Sequence, residues 1–291
     1  MQEHFQKKQK QVSRNEERPK SKESELQEVN DALILHANMD GYQTHAIDVE
    51  AEIALLASQE REPDIVLLNE TKLDEGSKDP VLSGYVLICR RDRISKNRGG
   101  GIAIFARETK AAHVTLLGVS DICERCWIML HTNDGPFLIG CWYRPPNKGN
   151  TDGINELRDE KTNFRSNAVG VIIVGDINVH SVKWLRHSAG ETKEAHVLQT
   201  VCEEMGLKQR VNEPTRKDIP SGKDYLLDLV LSDIPVEARV GNTIRDHRFV
   251  FTRMNVRIPD TQVIEREVWN YKKADWTRLK ECLADHDWSC L

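Results

Sequence analysis

The sequence lacks an apolar run long enough to cross a membrane. A membrane-spanning helix needs roughly 20 consecutive apolar residues, and no stretch of this 291-residue chain approaches that length. Residues Met1 to Lys10 also lack the apolar core of a secretory signal peptide. We therefore expect an intracellular protein that makes no contact with membranes.

An excess of positive charge is also absent. The chain has 41 lysines and arginines against 46 aspartates and glutamates, which gives a formal net charge of −5. Proteins that hold nucleic acid by bulk attraction alone carry the opposite balance. The composition argues against that class but allows an enzyme that meets phosphates through metal ions and a local basic rim.

The seven cysteines do not form the even, regularly spaced set of a disulfide framework. Cys89, Cys141 and Cys202 lie inside apolar runs, as reduced core thiols do. Cys123 and Cys126 form one CxxC pair, whereas a structural zinc site needs about four ligands. We interpret these cysteines as ordinary thiols.

Several catalytic signatures are missing. The sequence has no P-loop, no GxGxxG fingerprint and no nucleophile elbow. Nothing therefore supports a nucleotide cofactor or a covalent enzyme intermediate.

Composition divides the chain into three segments. Residues 1–30 are rich in charge and poor in apolar side chains, so we expect them to be disordered. A large domain is predicted over residues 31–258. Residues 259–291, which begin at Pro259, are predicted to form a linker and the start of a helical segment.

The predicted elements are many strands and few helices. Apolar, β-branched runs predict the following strands: Ala32–Ala37, Asp64–Asn69, Gly101–Arg107, Cys126–His131, Phe137–Tyr143, Val171–Gly175, Leu226–Leu231 and Phe249–Val256. Three- and four-residue apolar steps predict helices over Ala46–Gln59 and Glu191–Met205, and Gly206 is typical of a helix stop. This mixture favours a sheet-on-sheet core with helices outside.

One predicted strand delivers a dense set of polar groups. Asp176, Asn178 and His180 follow the apolar run Val171-Ile172-Ile173-Val174, separated by single apolar residues. With a period of two, the three side chains would share one face of an extended chain. A carboxylate and a carboxamide so placed are able to hold a metal ion and a phosphate oxygen side by side.

Other polar groups also stand at strand ends, where rigid scaffolds present catalytic side chains. Asn38, Glu70 and Tyr143 follow apolar runs, and Asp246-His247 precedes one. Carboxylates such as Glu70 and Asp246 suit Mg²⁺ or Mn²⁺. The set indicates metal-assisted hydrolysis of a phosphodiester, although each residue alone is also consistent with a turn, a cap or a solvated strand end.

Asp228 is harder to explain as a structural residue. It lies inside Leu226-Leu227-Asp228-Leu229-Val230-Leu231, where a carboxylate is costly unless paired. His247 is its natural partner, because a buried acid that orients an imidazole is a familiar catalytic device. His180 is more typical of a structural or rim position.

Taken in order, these motifs resemble the endonuclease/exonuclease/phosphatase superfamily. Within it, the sequence is most similar to the endonuclease domain of non-LTR (LINE-type) retrotransposons, and the resemblance covers about residues 32–258. The motifs that carry it are Asn38-x-x-Gly41, Asp64-Ile65-Val66-Leu67-Leu68-Asn69-Glu70-Thr71, Gly99-Gly100-Gly101-Ile102-Ala103, Tyr143-Arg144-Pro145-Pro146-Asn147, Gly175-Asp176-Ile177-Asn178-Val179-His180, Glu213-Pro214-Thr215-Arg216, Asp228-Leu229-Val230-Leu231 and Asp246-His247.

The resemblance implies an α/β fold: a four-layer, DNase I-like sandwich of two packed mixed β-sheets flanked by helices. It also implies a Mg²⁺ (or Mn²⁺) ion bound by Glu70, with Asn38 and Asp246 close to it. Asp176 would orient or deprotonate the attacking water.

The same resemblance assigns the remaining groups. Tyr143 and His247 would stabilise charge on the scissile phosphate, with Asp228 orienting His247. The predicted substrate-binding residues are Asn178, which would hold the scissile phosphate, and Arg144, Thr215 and His180. The sequence departs from the family in having Arg245 before Asp246 and Asp40 after Met39, and both changes bear on the grip on DNA.

The leading hypothesis is a nuclear DNA endonuclease that nicks its target and exposes a 3′-hydroxyl primer for retrotransposition. The chain would then be a fragment that ends before a reverse transcriptase. Two alternatives stay open: an abasic-site endonuclease or phosphatase of the same superfamily, and a non-catalytic retrotransposon remnant. The sequence leaves the oligomeric state open.

Overall fold

The computed structural model describes residues 31–93, 99–165, 167–261 and 275–286. The chain divides into two compact units, Met1–Thr261 and Gln262–Leu291. The segment predicted to be disordered, residues 1–30, lies outside the described residues, and the predicted domain boundary after residue 258 stays a prediction. No helix in the described part of the chain is long and apolar enough to span a membrane.

Fourteen strands and four helices build the described part of the first unit. The strands are β1 (Ala32–Asn38), β2 (Ile65–Asn69), β3 (Tyr85–Arg91), β4 (Ile102–Arg107), β5 (Val114–Val119), β6 (Glu124–Thr132), β7 (Gly135–Tyr143), β8 (Gly170–Asp176), β9 (Lys208–Gln209), β10 (Arg216–Lys217), β11 (Asp224–Tyr225), β12 (Asp228–Ser232), β13 (Glu237–Ile244) and β14 (His247–Met254). The helices are α1 (Tyr42–Ala57), α2 (Asp152–Asn155), α3 (Leu157–Arg165) and α4 (Lys193–Glu204).

The strands form two mixed sheets. The larger sheet has the order β11-β10-β14-β1-β2-β4-β3, with β13 paired to β14, and the smaller has the order β5-β6-β7-β8-β12-β9. Strands β1 and β2 are parallel, as are β7 and β8, and the other paired strands are antiparallel. Two packed mixed sheets confirm the predicted fold class.

Alternation along the strands of the larger sheet separates its two faces. Leu35, Val66 and Phe105 join the apolar cluster that also contains Val49 and Ile53 of helix α1. The residues between them in sequence point the other way, into the main core that the two sheets share. The larger sheet is therefore covered by α1 on one face and by the smaller sheet on the other.

The outer face of the smaller sheet is covered by α2, α3 and α4, whose apolar residues belong to the main core. A buried carboxylate fixes α3 to this sheet: Glu160 accepts hydrogen bonds from Arg125 Nε and from Trp127 Nε1, each at 2.6 Å. The layers therefore run helix, sheet, sheet, helices, as the four-layer sandwich requires.

All eight predicted strands are present, with ends shifted by a few residues. Strands β3, β5, β9, β10, β11 and β13 and helices α2 and α3 were not predicted. Strands β5 and β13 are half-exposed and carry polar or glycine residues, so they lack a clear apolar alternation. Helix α1 begins at Tyr42 rather than at the predicted Ala46, and Gly41 precedes it without a side-chain cap.

The predicted helix stop at Gly206 is confirmed by its left-handed backbone, with φ at 68°. The second unit contains helix α5 (Trp276–Ala284), whose first turn is capped by the Asp275 carboxylate through the N–H of Arg278 at 3.0 Å. This helix lies inside the predicted helical segment, most of which lies outside the described residues.

Candidate active site

The candidate site lies where strands of both sheets end side by side. Asn38 ends β1 in the larger sheet, and Asp176 ends β8 in the smaller sheet. The Nδ2 group of Asn38 donates to Asp176 Oδ2 at 2.8 Å and to Glu70 Oε1 at 3.0 Å. Three polar groups predicted separately from the sequence are therefore joined by direct hydrogen bonds across the two sheets.

The orientation of the Asn38 amide follows from its neighbours. Both groups that it faces are carboxylates, which in their ionised form accept hydrogen bonds and do not donate them. Its Nδ2 group must therefore face Glu70 and Asp176, while its Oδ1 accepts the N–H of Asp40 at 3.2 Å. Asn38 links the carboxylates in this arrangement, and its predicted role beside the metal stays a prediction.

Asp176 owes its position to the glycine before it. A Cβ atom on Gly175 would lie 1.7 Å from the carbonyl oxygen of Trp142 on the neighbouring strand. Only glycine therefore allows β8 to run this close to β7. The close approach continues to the end of β8, where the Asp176 side chain is buried.

Asp228 and His247 form the pair that the sequence predicted. Nδ1 of His247 lies 2.8 Å from Asp228 Oδ2, and both side chains are buried. Burial opposes the charge on each, but the Coulomb attraction and hydrogen bond between them outweigh it. The pKa of Asp228 is lowered, and the pKa of His247 is raised to about 9. An ionised Asp228 therefore holds a protonated His247.

Asp176 differs from Asp228 although the two are directly paired across β8 and β12. Burial and the charge of Asp228 raise the pKa of Asp176 to about 7. Two neighbouring carboxylates with opposite pKa shifts are typical of sites that divide acid and base roles. Here the ionised Asp228 is hydrogen-bonded to the imidazole of His247, whereas Asp176 has a pKa near neutral pH.

Tyr143 closes the site from β7 of the smaller sheet. Its ring is buried, and burial together with the charges of Glu70 and Asp176 raises the pKa of its hydroxyl. The phenol therefore keeps its proton at neutral pH and presents an O–H donor beside the two carboxylates.

Glu70 and Asn178 have a left-handed backbone, with φ at 51° and 50°. Residues other than glycine occupy this region at a cost, and such positions cluster at functional sites. The Nδ2 group of Asn178 donates to the carbonyl oxygen of Arg144 at 3.0 Å. The amide has a second N–H, and Asn178 itself is half-buried at the site edge.

The donor set suits a hard cation. Asp176 and Asp228 each offer a carboxylate oxygen, and these atoms and one nitrogen of the protonated His247 lie within 4.8 Å of one another. Oδ1 of Asp176 is buried with no hydrogen-bond partner in the described part of the chain. A free carboxylate oxygen next to Glu70 is a fitting ligand for Mg²⁺ or Mn²⁺. The third predicted metal residue, Asp246, instead accepts a hydrogen bond from Arg216 Nε at 3.0 Å.

The predicted substrate-binding residues other than Asn178 are turned toward the protein. Arg144 donates to the carbonyl oxygens of Ile177, Asn178, Asn147 and Asn150. Thr215 Oγ1 accepts the backbone N–H groups of Leu227 and Asp228 at 3.1 and 2.9 Å. These hydrogen bonds hold the backbone next to Asn178 and Asp228 in place. Direct binding of substrate by Arg144 or Thr215 stays a prediction.

His180 packs against a residue of the larger sheet. Its ring packs edge-on against Tyr225 at 5.7 Å, and burial together with the charge of Arg216 lowers its pKa. The structure thus places it with Arg216 on the side of the site formed by the larger sheet, and its predicted contact with substrate stays a prediction.

Sequence reasoning missed two residues that hold the site together. His36 Nε2 lies 3.0 Å from Asn69 Oδ1, which also accepts the backbone N–H of Asp176 at 2.9 Å. His36 Nδ1 lies 3.8 Å from Asp228 Oδ1. The signal was present, since an imidazole between the apolar residues Leu35 and Ala37 is also costly to bury without a partner.

The rim carries cations, of which sequence reasoning singled out Arg245 but gave no role to Lys72 or Arg216. Asp40 pairs with both Lys72 and Arg245, and Lys72 Nζ lies 3.9 Å from Glu70 Oε2. Arg216 pairs with Asp246 and is near enough to Asp176 and Glu70 for their charges to raise its pKa. A chain with a net negative charge therefore concentrates positive charge around its carboxylate site.

Comparison with known proteins shows what this chain is similar to. The model of a family described as endonuclease-reverse transcriptase matches residues 137–251. A probable RNA-directed DNA polymerase from transposon X-element of Drosophila melanogaster is 29% identical over 154 residues, which are 52% of this chain and 15% of that protein. The chain thus spans a small part of the length of this curated relative.

Solved structures share the fold. The endonuclease domain of TRAS1, a telomere-specific non-LTR retrotransposon, superposes with a TM-score of 0.58 at 15% identity, covering 78% of this chain and 99% of that domain. The AP endonuclease LMAP from Leishmania major gives 0.61 at 14% identity, covering 82% and 91%. Together the matches confirm the resemblance to the endonuclease/exonuclease/phosphatase superfamily and to non-LTR retrotransposon proteins.

Proposed function

We propose that this chain, whose residues 137–251 match the endonuclease-reverse transcriptase family, is a divalent-metal-dependent DNA endonuclease that hydrolyses one phosphodiester bond of a duplex. One observation carries the proposal. Asp176 and Asp228 are adjacent buried carboxylates with opposite pKa shifts, and the ionised one holds a protonated imidazole. That combination supplies a base and a cation to the same small volume.

Asp176 is the general base in this proposal. A base works best when its pKa lies near the operating pH, because it is then free of its proton yet still basic. The pKa of Asp176 is raised to about 7, and its Oδ1 has no hydrogen-bond partner among the described residues. The carboxylate is therefore able to accept a proton from a water molecule that attacks the phosphorus.

His247, Tyr143 and Asn178 stabilise the charge that grows on the phosphate oxygens. Nδ1 of His247 is held by Asp228, which leaves the Nε2–H group as the donor to the substrate. Tyr143 offers its hydroxyl and Asn178 its second amide N–H. Donors that are already oriented in a buried site cost little reorganisation during the reaction, which is why such arrangements accelerate hydrolysis.

Glu70 and, with a rotated amide, Asn38 would hold a Mg²⁺ or Mn²⁺ ion, with Asp246 close by. When bound, such an ion neutralises phosphate charge and acts as a Lewis acid on the scissile group. The left-handed backbone of Glu70 and its hydrogen bond with Asn38 at the end of β1 support this assignment.

The biological role follows from the kind of protein that the chain resembles. Water attacks the phosphorus, the P–O3′ bond breaks and O3′ leaves; the products are a 5′-phosphate and a 3′-hydroxyl, the end that a reverse transcriptase extends. We propose that the nick serves as the primer for retrotransposition and that the enzyme acts on nuclear DNA. The similarity to a transposon polymerase and to a retrotransposon endonuclease fold supports this.

A plasmid-nicking assay tests the proposal. Supercoiled DNA is incubated with Mg²⁺ and the parent, Asp176→Ala or His247→Ala, and the nicked product is then offered to a DNA polymerase. We expect the parent to produce extendable nicks and each variant to be slower by about 100-fold or more, since each loses a group that acts in the transition state.

Arg253→Gln provides the control, because Arg253 lies toward the opposite end of β14 from His247. Equal nicking by all four proteins would overturn the proposal, as would nicks that a polymerase fails to extend. An intact and an abasic duplex are cleaved in parallel. Cleavage confined to the abasic duplex would favour the abasic-site enzyme, and no cleavage of either would favour the non-catalytic remnant.

A further inference from the structure

A cleft of about 510 Å³ opens beside Tyr143, on the side of the site formed by the smaller sheet. Its charged lining consists of Arg91, Arg93, Arg144, Asp121 and Glu124. The roles proposed above use Tyr143 at the border of this cleft but leave the rest of the lining without a function. Three arginines in one cleft next to a phosphodiesterase site suggest an anionic ligand.

Arg93 is held in the cleft by a buried acid. Glu124 stands directly opposite Tyr143 in the pairing of β6 with β7. Its Oε1 accepts a hydrogen bond from Arg93 Nε at 2.7 Å, and its Oε2 accepts the backbone N–H of Gly101. With both carboxylate oxygens used, Glu124 fixes the guanidinium, whose central carbon lies 5.5 Å from the centre of the Tyr143 ring.

Gly100 makes this arrangement possible. A Cβ atom at this position would lie 2.3 Å from Glu124 Oε2 and 2.5 Å from Arg93 Nη2. Its backbone φ of 69° also lies in the region that favours glycine. Within the motif Gly99-Gly100-Gly101, the central glycine therefore makes room for the pair of Arg93 and Glu124.

The arginines of the cleft have donors to spare. Glu124 uses one donor of Arg93, and Nη2 of Arg93 and Nε of Arg91 are buried with no hydrogen-bond partner in the described part of the chain. Those two atoms are enclosed by the protein, but the Arg93 side chain is 18% exposed. Arg144, in contrast, already donates to four carbonyl oxygens. The donors that a ligand in the cleft is able to reach thus belong to Arg93.

We propose that this cleft binds a phosphate of the DNA strand that flanks the scissile phosphate, with Arg93 as the residue that contacts it. The inference rests on the proposed function and adds a subsite to it. The guanidinium suits a phosphate because it keeps its positive charge and donates charge-assisted hydrogen bonds to phosphate oxygens. Glu124 keeps the guanidinium oriented before DNA arrives, and Tyr143 stands between this subsite and the scissile position.

Binding is measured by fluorescence anisotropy on a short duplex, in the Asp176→Asn background so that the DNA stays intact. Arg93→Gln is expected to weaken binding about tenfold and to reduce the slope of log K against log salt by about 1, the value for one lost phosphate contact. Arg253→Gln, which removes an arginine remote from the cleft, is expected to leave both quantities unchanged.

A duplex series in which each phosphate in turn is replaced by a neutral methylphosphonate locates the contact. At one flanking position, the neutral group should weaken binding by the protein that retains Arg93 and should cost the Arg93→Gln protein nothing further. Because Arg93→Gln leaves Glu124 buried without its partner, Arg93→Gln with Glu124→Gln is measured as well and is expected to behave the same way.

The outcomes separate the two proposals. An unchanged salt slope together with equal methylphosphonate penalties in both proteins overturns the phosphate subsite, even if the parent nicks DNA. Failure of the parent to nick, with the Arg93 coupling intact, counts against the proposed hydrolysis alone. Absence of any DNA binding overturns both.

Discussion

Nε2 of His36 lies 3.0 Å from Oδ1 of Asn69 inside the core of the sandwich. The same oxygen accepts the backbone N–H of Asp176 at 2.9 Å, so Asn69 Oδ1 is an acceptor and His36 Nε2 must carry the proton. Asn69 belongs to the larger sheet and Asp176 to the smaller one. His36 therefore positions the amide that ties the proposed base to the opposite sheet.

Replacing His36 tests this positioning role. His36→Phe keeps a ring of similar size but loses the donor to Asn69, so Asp176 should be held less firmly. We expect kcat for nicking to fall about tenfold with KM nearly unchanged, and the free energy of unfolding to fall by about 1 kcal/mol for the lost hydrogen bond.

The conservative variant His36→Gln restores an N–H donor and should recover part of the lost kcat. Recovery of stability without recovery of kcat would contradict the positioning role and assign His36 to the core alone.

His36 also shows where sequence reasoning stopped. Asp228 was identified because a carboxylate inside an apolar strand needs a partner, and its pairing with His247 is confirmed. The same need for a partner applied to His36, which lies between Leu35 and Ala37 in strand β1. Its partners Asn69 and Asp228, however, lie far along the chain. Local pattern reveals that a buried polar group needs a partner, and it does not reveal which one.

The fold was more predictable than the site. Every predicted strand is present because apolar β-branched runs report burial directly, whereas the half-exposed strand β13 was missed. The Arg93–Glu124 pair was out of reach of the sequence for another reason. It forms between residues 31 positions apart, and only the register of β6 with β7 brings it beside Tyr143.

The pairing of His247 with Asp228 makes stability depend on pH. The pKa of His247 is raised from 6.5 to about 9 in the folded protein. Below pH 6.5 both folded and unfolded states hold the proton, so the full contribution is present. Between pH 6.5 and 9 the unfolded state loses its proton first, so the contribution decreases and is gone above pH 9.

Urea unfolding of the parent in EDTA, from pH 6 to 9.5, measures this effect. The pKa difference corresponds to about 3 kcal/mol as an upper bound. His247→Gln should be less stable than the parent at pH 6, and the difference should shrink as the pH rises. A difference that stays constant over this range would show that the imidazolium–carboxylate pair is not its source.

Asp176 acts on stability in the opposite sense. Burial and the charge of Asp228 raise its pKa from 3.8 to about 7, so the folded protein resists its ionisation. Near pH 4 this costs nothing, and above pH 7 the full cost, of the order of 2–4 kcal/mol, is present. Asp176→Asn removes the charge while its side-chain oxygen still accepts from Asn38.

We therefore expect Asp176→Asn to melt at a higher temperature than the parent at pH 8 in EDTA, and to lose nicking activity. At pH 4 the two melting temperatures should converge. A variant less stable than the parent at pH 8 would mean that the ionised carboxylate is a stabilising group, against the electrostatic argument.

Metal binding should depend on Glu70. A ligand that binds only the folded state raises its stability by RT ln(1 + [L]/Kd), about 2.7 kcal/mol at 100 times Kd. Titration of the parent with Mg²⁺ should raise its melting temperature, and Glu70→Gln should lose most of that rise because an amide oxygen is a weaker ligand than a carboxylate. Glu237→Gln, on the remote strand β13, is the control for general charge effects. Equal shifts for the parent and Glu70→Gln would remove Glu70 from the metal site.

Asp40 restrains the basic rim of the site. Its carboxylate pairs with both Lys72 and Arg245, so two cations that face the site are partly neutralised before DNA arrives. Asp40 has a left-handed backbone with φ at 47°, a conformation that asparagine also tolerates. Asp40→Asn therefore frees the two cations without straining the chain, and we expect tighter DNA binding with a steeper dependence on salt.

Anisotropy titrations between 50 and about 200 mM salt measure both the affinity for DNA and its salt dependence. Asp134→Asn, in the turn between β6 and β7, is the matched control. Binding that is unchanged or weaker in Asp40→Asn would show that Lys72 and Arg245 stay bound within the protein and do not reach the DNA.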